Sequence, residues 1–199
     1  MQLIKKISAD EMVGEFLKAE LHSSRFRAGS LRALTMLGYN EDVIENPHFD
    51  NVSQNKKRIK LLGLCRGWPN TELFTNFPTD SQWFMVTLSL SDLKSAYRLK
   101  SHPDMADSDR LLVTTASRVM KGDSVRNIDI KLIGEIREKI EQQVKLPPVI
   151  LASTSLKLDK KVLIEGHSRS VAYASFQNLP YDIPAIIGVS RNMANWAYF

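Results

Sequence analysis

Residues 1–66 carry apolar side chains at the spacing of α-helices. In the first predicted helix the apolar positions recur three or four residues apart, at Met12, Val13, Phe16, Leu17 and Leu21. Ser8 precedes them and Glu11 lies three positions after Ser8, which is the pattern of a capping box. A second helix is predicted over Arg27–Leu37 and a third over Ser53–Arg66. We therefore expect the chain to begin with a helical region.

A loop is predicted between this helical region and the rest of the chain. Residues 67–80 (GWPNTELFTNFPTD) contain two prolines and two asparagines, which favour turns. We place a domain boundary at the end of this loop. Residues 1–80 then form a helical N-terminal region, and residues 81–199 form a second domain.

After residue 80 the pattern alternates between short strands and helices. Runs of β-branched and aromatic residues predict four strands, over Trp83–Leu88, Val149–Ala152, Val162–Ile164 and Pro184–Val189. Helical spacing predicts four helices, over Asp92–Leu99, Arg110–Lys121, Ile130–Val144 and Ser168–Phe176. The short link between the second and third strands indicates that these two are antiparallel. The expected fold class is α+β, with a small mixed sheet.

The composition is that of an ordinary globular protein. Of the 199 residues, 43% are hydrophobic and 25% are charged, which excludes a disordered or collagen-like chain. The single cysteine, Cys65, excludes an internal disulfide and a thiolate metal cluster. No apolar stretch approaches the roughly 18–20 residues of a membrane span, and the first residues (MQLIKKISADEM) are charged where a signal peptide is apolar. We therefore expect a cytoplasmic protein with no membrane partner.

Positive charge is concentrated in the third predicted helix. The formal net charge is +5, and this helix carries five basic residues with no acid between them: Lys56, Lys57, Arg58, Lys60 and Arg66. One interpretation is a solvated helix face. The other is that Lys56, Lys57, Arg58 and Lys60 contact the backbone of a nucleic acid, with an affinity that falls steeply with salt.

The segment VLIEGHSRSVAYA, residues 162–174, carries the clearest chemical signal. The predicted strand ends here in Glu165–Gly166, the glycine permits a tight turn, and a helix follows at once. The first N–H groups of a helix have no intrahelical partner and favour an anion. Arg169 in the first turn can bind a phosphate with two hydrogen bonds, and His167 supplies a donor or an acid/base group. We therefore predict a phosphate site formed by Gly166, His167, Ser168 and Arg169.

Glu165 needs a separate explanation, because a carboxylate repels a phosphate unless a metal or a proton intervenes. This makes Glu165 a candidate Mg²⁺ ligand or catalytic base. A second arginine, Arg118 in the segment TTASRVMKG, is either directed towards the same phosphate site or exposed on the surface. The purely structural alternative is that Glu165 caps the helix, His167 packs, and Arg169 pairs with a nearby acid.

Missing motifs exclude several enzyme classes. The sequence has no H-E-x-x-H, no C-x-x-C and no G-x-x-x-x-G-K-[ST] motif, which removes zinc proteases, zinc ribbons and P-loop enzymes. Residues 166–170 (GHSRS) are similar to the nucleophile turn of serine hydrolases. However, no histidine follows Ser168 in the chain, which argues against such a hydrolase.

The order of segments over about residues 81–190 resembles the ParB/sulfiredoxin superfamily. The segments that carry the resemblance are WFMVTLSLSDLK, PPVIL, the hairpin, VLIEGHSRSVAYA and IPAIIGVS. Members of this superfamily share a compact α+β domain in which a G-x-x-R turn at a helix start holds nucleotide phosphates. The chain also looks like a group of bacterial proteins that add a helical N-terminal region.

The resemblance implies roles for individual residues of the turn. Gly166 matches the turn glycine, and Arg169 matches the phosphate-binding arginine. Glu165 and His167 match the acid and the first histidine of the D-G-H-H-R motif of free-serine kinases. Sulfiredoxins have a cysteine nucleophile at the position of His167, so sulfinic-acid reduction is not expected.

Three functions follow from these patterns as hypotheses. The first is a protein that binds the phosphates of a nucleotide (ATP, ADP or CTP), with Mg²⁺-dependent phosphotransferase or phosphohydrolase activity in which Glu165 and His167 are catalytic. The second is a DNA- or RNA-binding protein, or a nuclease, that uses the basic helix. The third is a non-catalytic regulatory partner of the same fold.

Overall fold

The computed structural model describes residues 1–100, 106–125, 128–157 and 160–199. Within these ranges there are five strands: β1 Gln2–Ile7, β2 Gln82–Leu88, β3 Val149–Ser153, β4 Lys161–Glu165 and β5 Ile183–Val189. They form one sheet in the order β1-β2-β5-β3-β4, in which β3 and β5 are parallel and the other neighbours are antiparallel. The predicted α+β class with a mixed sheet is confirmed, and so is the antiparallel pairing of β3 with β4.

The helices of the described residues are α1 Ala9–Leu21, α2 Arg27–Leu37, α3 Asp42–Glu45, α4 Val52–Arg66, α5 Leu90–Lys94, α6 Asp107–Arg110, α7 Leu112–Met120, α8 Ile130–Glu141 and α9 His167–Ala174. The predicted capping box of α1 is present, because Ser8 and Glu11 each accept a hydrogen bond from the other's backbone N–H. Gly38 and Gly67 end α2 and α4 in the left-handed conformation, with φ of 67° and 76°. Three helices of the N-terminal region therefore lie where the sequence predicted them.

Strand β1 corrects the prediction that residues 1–66 are helical throughout. It lies at the edge of the sheet and pairs with β2, with Ile7 opposite Trp83. Only Ile7 of its six residues is buried. An edge strand of this kind is held mainly by backbone hydrogen bonds to its neighbour, so its sequence lacks the alternation by which a strand is recognised.

The sheet lies between two layers of helices. Side chains alternate along each strand, so that one face packs against α1–α4 and the other against α5 and α7–α9. The first face contributes Trp83, Ile150, Ile164 and Ile186, which form one cluster with residues of the N-terminal helices such as Phe16, Leu17 and Leu61. The residues on either side of position 80 therefore share one hydrophobic core.

The predicted loop over residues 67–80 packs against the same face through aromatic rings. Phe77 stacks on Trp83 with ring centroids 5.9 Å apart, and Trp196 meets Phe77 edge-on at 5.3 Å. The Trp196 indole N–H also donates to the Leu73 carbonyl at 2.8 Å. The loop thus joins the two segments by packing as well as by chain connection.

None of the helices in the described ranges has the length and apolar character of a membrane span.

Candidate functional site

The turn from β4 into α9 has the strand–glycine–helix arrangement that the sequence predicts. Strand β4 ends at Glu165, and α9 begins at His167. Gly166 between them has φ of +90°, and a Cβ atom there would lie 2.9 Å from Val149 Cγ1. The conformation and the close packing both require glycine. Since glycine has no capping side chain, the first N–H groups of α9 remain available to a ligand.

Arg169 and Glu165 form an ion pair across the turn. Arg169 Nη2 donates to Glu165 Oε2 at 2.5 Å and to the Pro148 carbonyl at 3.2 Å. Both side chains are nearly buried, with 12% and 11% of their surface exposed. The structure therefore shows Arg169 paired with a nearby acid, Glu165, as the structural alternative predicts. Arg169 Nε is buried and makes no hydrogen bond, so the guanidinium keeps an unused donor.

A second carboxylate–arginine pair comes from the N-terminal helices. Arg66 at the end of α4 donates from Nε to Glu20 Oε1 of α1 at 2.5 Å, and only 2% of Glu20 is exposed. The guanidinium of Arg66 also lies 4.2 Å from the ring centre of Phe26. Arg25 lies 4.9 Å from the same ring. Glu20, Arg25, Phe26 and Arg66 therefore form one cluster.

The two ion pairs are close enough to influence each other. Burial raises the pKa of Glu20, Arg66 opposes this rise, and the charge of Glu165 raises the pKa further. The N-terminal helices thus bring a carboxylate and a guanidinium near the turn of the second segment. This proximity depends on the packing of α1 and α4 against the sheet.

Burial and nearby positive charge both act on His167. Burial lowers its pKa from 6.5 to about 3, and four arginines contribute to this shift: Arg98, Arg25, Arg169 and Arg66. The imidazole of the protein without ligand is therefore neutral at neutral pH. Because the imidazole is not protonated to imidazolium at neutral pH, it can accept a proton but cannot act as a general acid.

Within the described part of the chain, the arginines that lower the pKa of His167 do not include Arg118. Its side chain is 47% exposed, and its Nε lies 4.0 Å from the carboxylate of Asp123. The surface position was one of the two interpretations of Arg118. Arg98, which is only 7% exposed, is the arginine between β2 and α7 whose charge lowers the pKa of His167.

Four residues of the site were missed by sequence reasoning: Glu20, Arg25, Arg66 and Arg98. A signal existed for Glu20, because it lies three and four positions after Leu17 and Phe16 on the apolar face of α1. A carboxylate on such a face needs a buried partner. Arg66 was noticed only as part of the basic run. Neither Arg25 nor Arg98 stands in a pattern that marks it.

The structure corrects the predicted nucleic-acid contact of Arg58. This side chain is fully buried, donates from Nη1 to the Val43 carbonyl at 3.0 Å, and also donates to Asn55. The reason is helical phase, because Arg58 precedes the buried Leu61 and Leu62 by three and four residues. Lys56, Lys57 and Lys60 are exposed, and their contact with nucleic acid stays a prediction.

The predicted Mg²⁺ ligand Glu165 is not part of a metal-binding cluster in the described ranges. No group of three histidine, cysteine, aspartate or glutamate side chains there could hold a metal ion. Glu165 and Glu20 are each engaged by an arginine. Mg²⁺ commonly binds one or two carboxylates together with the phosphates of a nucleotide, so its role stays a prediction tied to that ligand.

Comparison with known proteins leaves the family open. No protein-family model matches the chain, and neither the curated proteins nor the solved structures contain a match. The similarity to the ParB/sulfiredoxin superfamily therefore stays a prediction from the segments around the turn.

Proposed function

We propose that the turn between β4 and α9 binds the phosphates of a nucleotide and that the protein acts on this nucleotide as a phosphotransferase or phosphohydrolase. One observation carries the proposal. Four arginines (Arg25, Arg66, Arg98 and Arg169) act on His167, which is the first residue of a helix whose N-cap is a glycine. Guanidinium groups and uncapped helix N–H groups both favour an anion with several charges.

The residues of the turn divide between binding and chemistry. The N–H groups at the start of α9 and the guanidinium of Arg169 hold phosphate oxygens. His167 is neutral, and a bound polyanion raises its pKa by opposing the surrounding arginines. It can then accept the proton of a water or hydroxyl that attacks phosphorus, while the bond to the leaving phosphate breaks.

The carboxylates of Glu165 and Glu20 supply the remaining chemistry. They lie near the proposed phosphates and can hold Mg²⁺ together with phosphate oxygens once the nucleotide has drawn the arginines towards itself. Mg²⁺ bound in this way would neutralise charge that develops on the phosphates. The cation is therefore expected to bind with the nucleotide rather than before it.

Isothermal titration calorimetry with ATP, ADP, CTP and inorganic tripolyphosphate tests the binding part of this proposal. We expect a triphosphate to bind more tightly than the corresponding diphosphate, and we expect each added 100 mM salt to weaken binding, since the contacts are ionic. Absence of binding of all four compounds at low salt would overturn the proposal.

Phosphate release in the presence of Mg²⁺, followed by ³¹P NMR, tests the chemistry. Binding without release would contradict the enzymatic part and favour the regulatory hypothesis.

A further inference from the structure

An open pocket of about 330 Å³ lies among α1, α2 and α4. This volume is at the lower end of the range for small-molecule sites, about 300–1,000 Å³. Its lining combines apolar and charged side chains, among them Glu20, Phe26, Ala33, Met36, Leu64 and Arg66. Apolar walls with a few polar groups are typical of a site for an organic molecule.

The Glu20–Arg66 ion pair connects the pocket electrostatically with the proposed phosphate site. Arg66 and Glu20 line the pocket, and both also act electrostatically on the turn, Arg66 on His167 and Glu20 through its coupling with Glu165. The guanidinium of Arg66 lies over the ring of Phe26, another lining residue. Residues 165–169 of the turn do not line the pocket, so a ligand that occupies both must extend past the Glu20–Arg66 pair.

Two apolar side chains at this pocket are exposed to solvent. Met36 is 75% exposed and Leu64 is 46% exposed, and both line the pocket. Adjacent exposed apolar side chains mark a contact surface more often than isolated ones do. Next to a planar guanidinium, which stacks on aromatic rings, they suit a nucleobase and its sugar.

We propose that this pocket holds the nucleoside of the nucleotide whose phosphates bind at the turn between β4 and α9. The inference rests on the proposed function and specifies where the rest of the ligand lies. The N-terminal helices are then a part of the binding site, and Arg66 is shared by the nucleoside and the phosphates. The nucleoside contributes affinity that inorganic tripolyphosphate cannot obtain.

A second pocket in the described part of the chain offers a matched control. It has a volume of about 300 Å³, lies between α7 and α8, and is lined by residues such as Met120, Ile130, Gly134 and Arg137. Each pocket has one helical glycine in its lining, Gly29 in the first and Gly134 in the second. A Cβ atom at either glycine meets no other atom within 4 Å. A leucine at each position can therefore enter its pocket, and both substitutions also favour the helix.

The test compares ATP with inorganic tripolyphosphate by calorimetry in the wild type, Gly29→Leu and Gly134→Leu. We expect Gly29→Leu to weaken ATP binding by about tenfold or more and to leave tripolyphosphate binding within about twofold, because it fills only the nucleoside pocket. Gly134→Leu should change neither affinity. Met36→Ala removes an exposed side chain without disturbing the core, and should weaken ATP binding by about threefold with tripolyphosphate unchanged.

The possible outcomes separate the two proposals. If Gly29→Leu and Met36→Ala bind ATP as the wild type does, or if Gly29→Leu weakens both ligands equally, the pocket does not hold the nucleoside. Equal wild-type affinity for ATP and tripolyphosphate contradicts the pocket as well and leaves the phosphate site in place. Failure of the wild type to bind either ligand overturns the proposed function itself.

Discussion

Replacing Arg169 by alanine is expected to lower the affinity for tripolyphosphate by about tenfold to 150-fold, because a charge-assisted hydrogen bond contributes about 1.5–3 kcal/mol. The same change should also destabilise the protein. It leaves Glu165, whose side chain is only 11% exposed, without its ion-pair partner. Removing one member of a buried pair costs about 3–5 kcal/mol. Calorimetry measures the first effect, and urea unfolding measures the second.

Glu165→Gln separates the two roles of the pair. It keeps the size of the side chain but removes the negative charge, so Arg169 is freed for a phosphate. Nucleotide binding should be equal to or tighter than in the wild type, and Mg²⁺-dependent turnover should be lost. The double variant Arg169→Ala with Glu165→Gln should regain much of the stability that Arg169→Ala alone loses, but it should not regain the lost affinity for tripolyphosphate.

Lys56→Gln is the control for the loss of one positive charge, because Lys56 is exposed on α4. It should change tripolyphosphate affinity by less than about twofold. If Arg169→Ala loses stability but binds tripolyphosphate as well as the wild type does, the arginine has only a structural role, and the phosphate site is not at this turn.

Lowering the pH from 6.5 towards 3 is expected to reduce the stability of the protein without ligand through His167. The pKa of this side chain is about 3 in the folded protein and 6.5 as its ordinary value. Between these values the unfolded chain binds a proton that the folded protein does not. Stability attributable to His167 therefore falls by up to about 1.4 kcal/mol for each pH unit as the pH drops, and it is fully present above 6.5.

Urea unfolding of the wild type and of His167→Gln at pH 7, 6, 5 and 4 measures this effect. The variant should lose less stability on acidification than the wild type does. A bound polyanion opposes the arginines, so tripolyphosphate affinity should rise on acidification more in the wild type than in the variant. Identical pH dependence of the two proteins, in stability and in affinity, would contradict the lowered pKa of His167 in the folded protein and its rise on ligand binding.

The parts of the fold that sequence predicts are those set by local chemistry. The bounds of α2 follow from helical spacing and from Gly38, which can adopt the left-handed conformation that ends a helix. The turn at Gly166 follows from a strand that runs directly into a helix. Strand β1 could not be predicted in the same way, because its pairing with β2 spans about 80 positions and five of its six residues are exposed.

The candidate site was predictable only for the residues of the turn. Gly166, His167 and Arg169 lie within four consecutive positions, so a short motif reveals them. Glu20 and Arg66 come together only when α1 and α4 pack side by side, and sequence separation hides that contact. Arg58 shows the converse, because it stands in a basic run and yet its helical phase places it in the interior.

Backbone amide chemical shifts test the central claim most directly. In a ¹H–¹⁵N NMR titration of the wild type with inorganic tripolyphosphate, the amides of His167, Ser168 and Arg169 should shift most, since their N–H groups begin α9 and are proposed to bind the phosphates. The same titration of Arg169→Ala should need a higher ligand concentration for the same shifts. Shifts confined to the exposed lysines of α4, with none at the start of α9, would contradict a phosphate site at this turn.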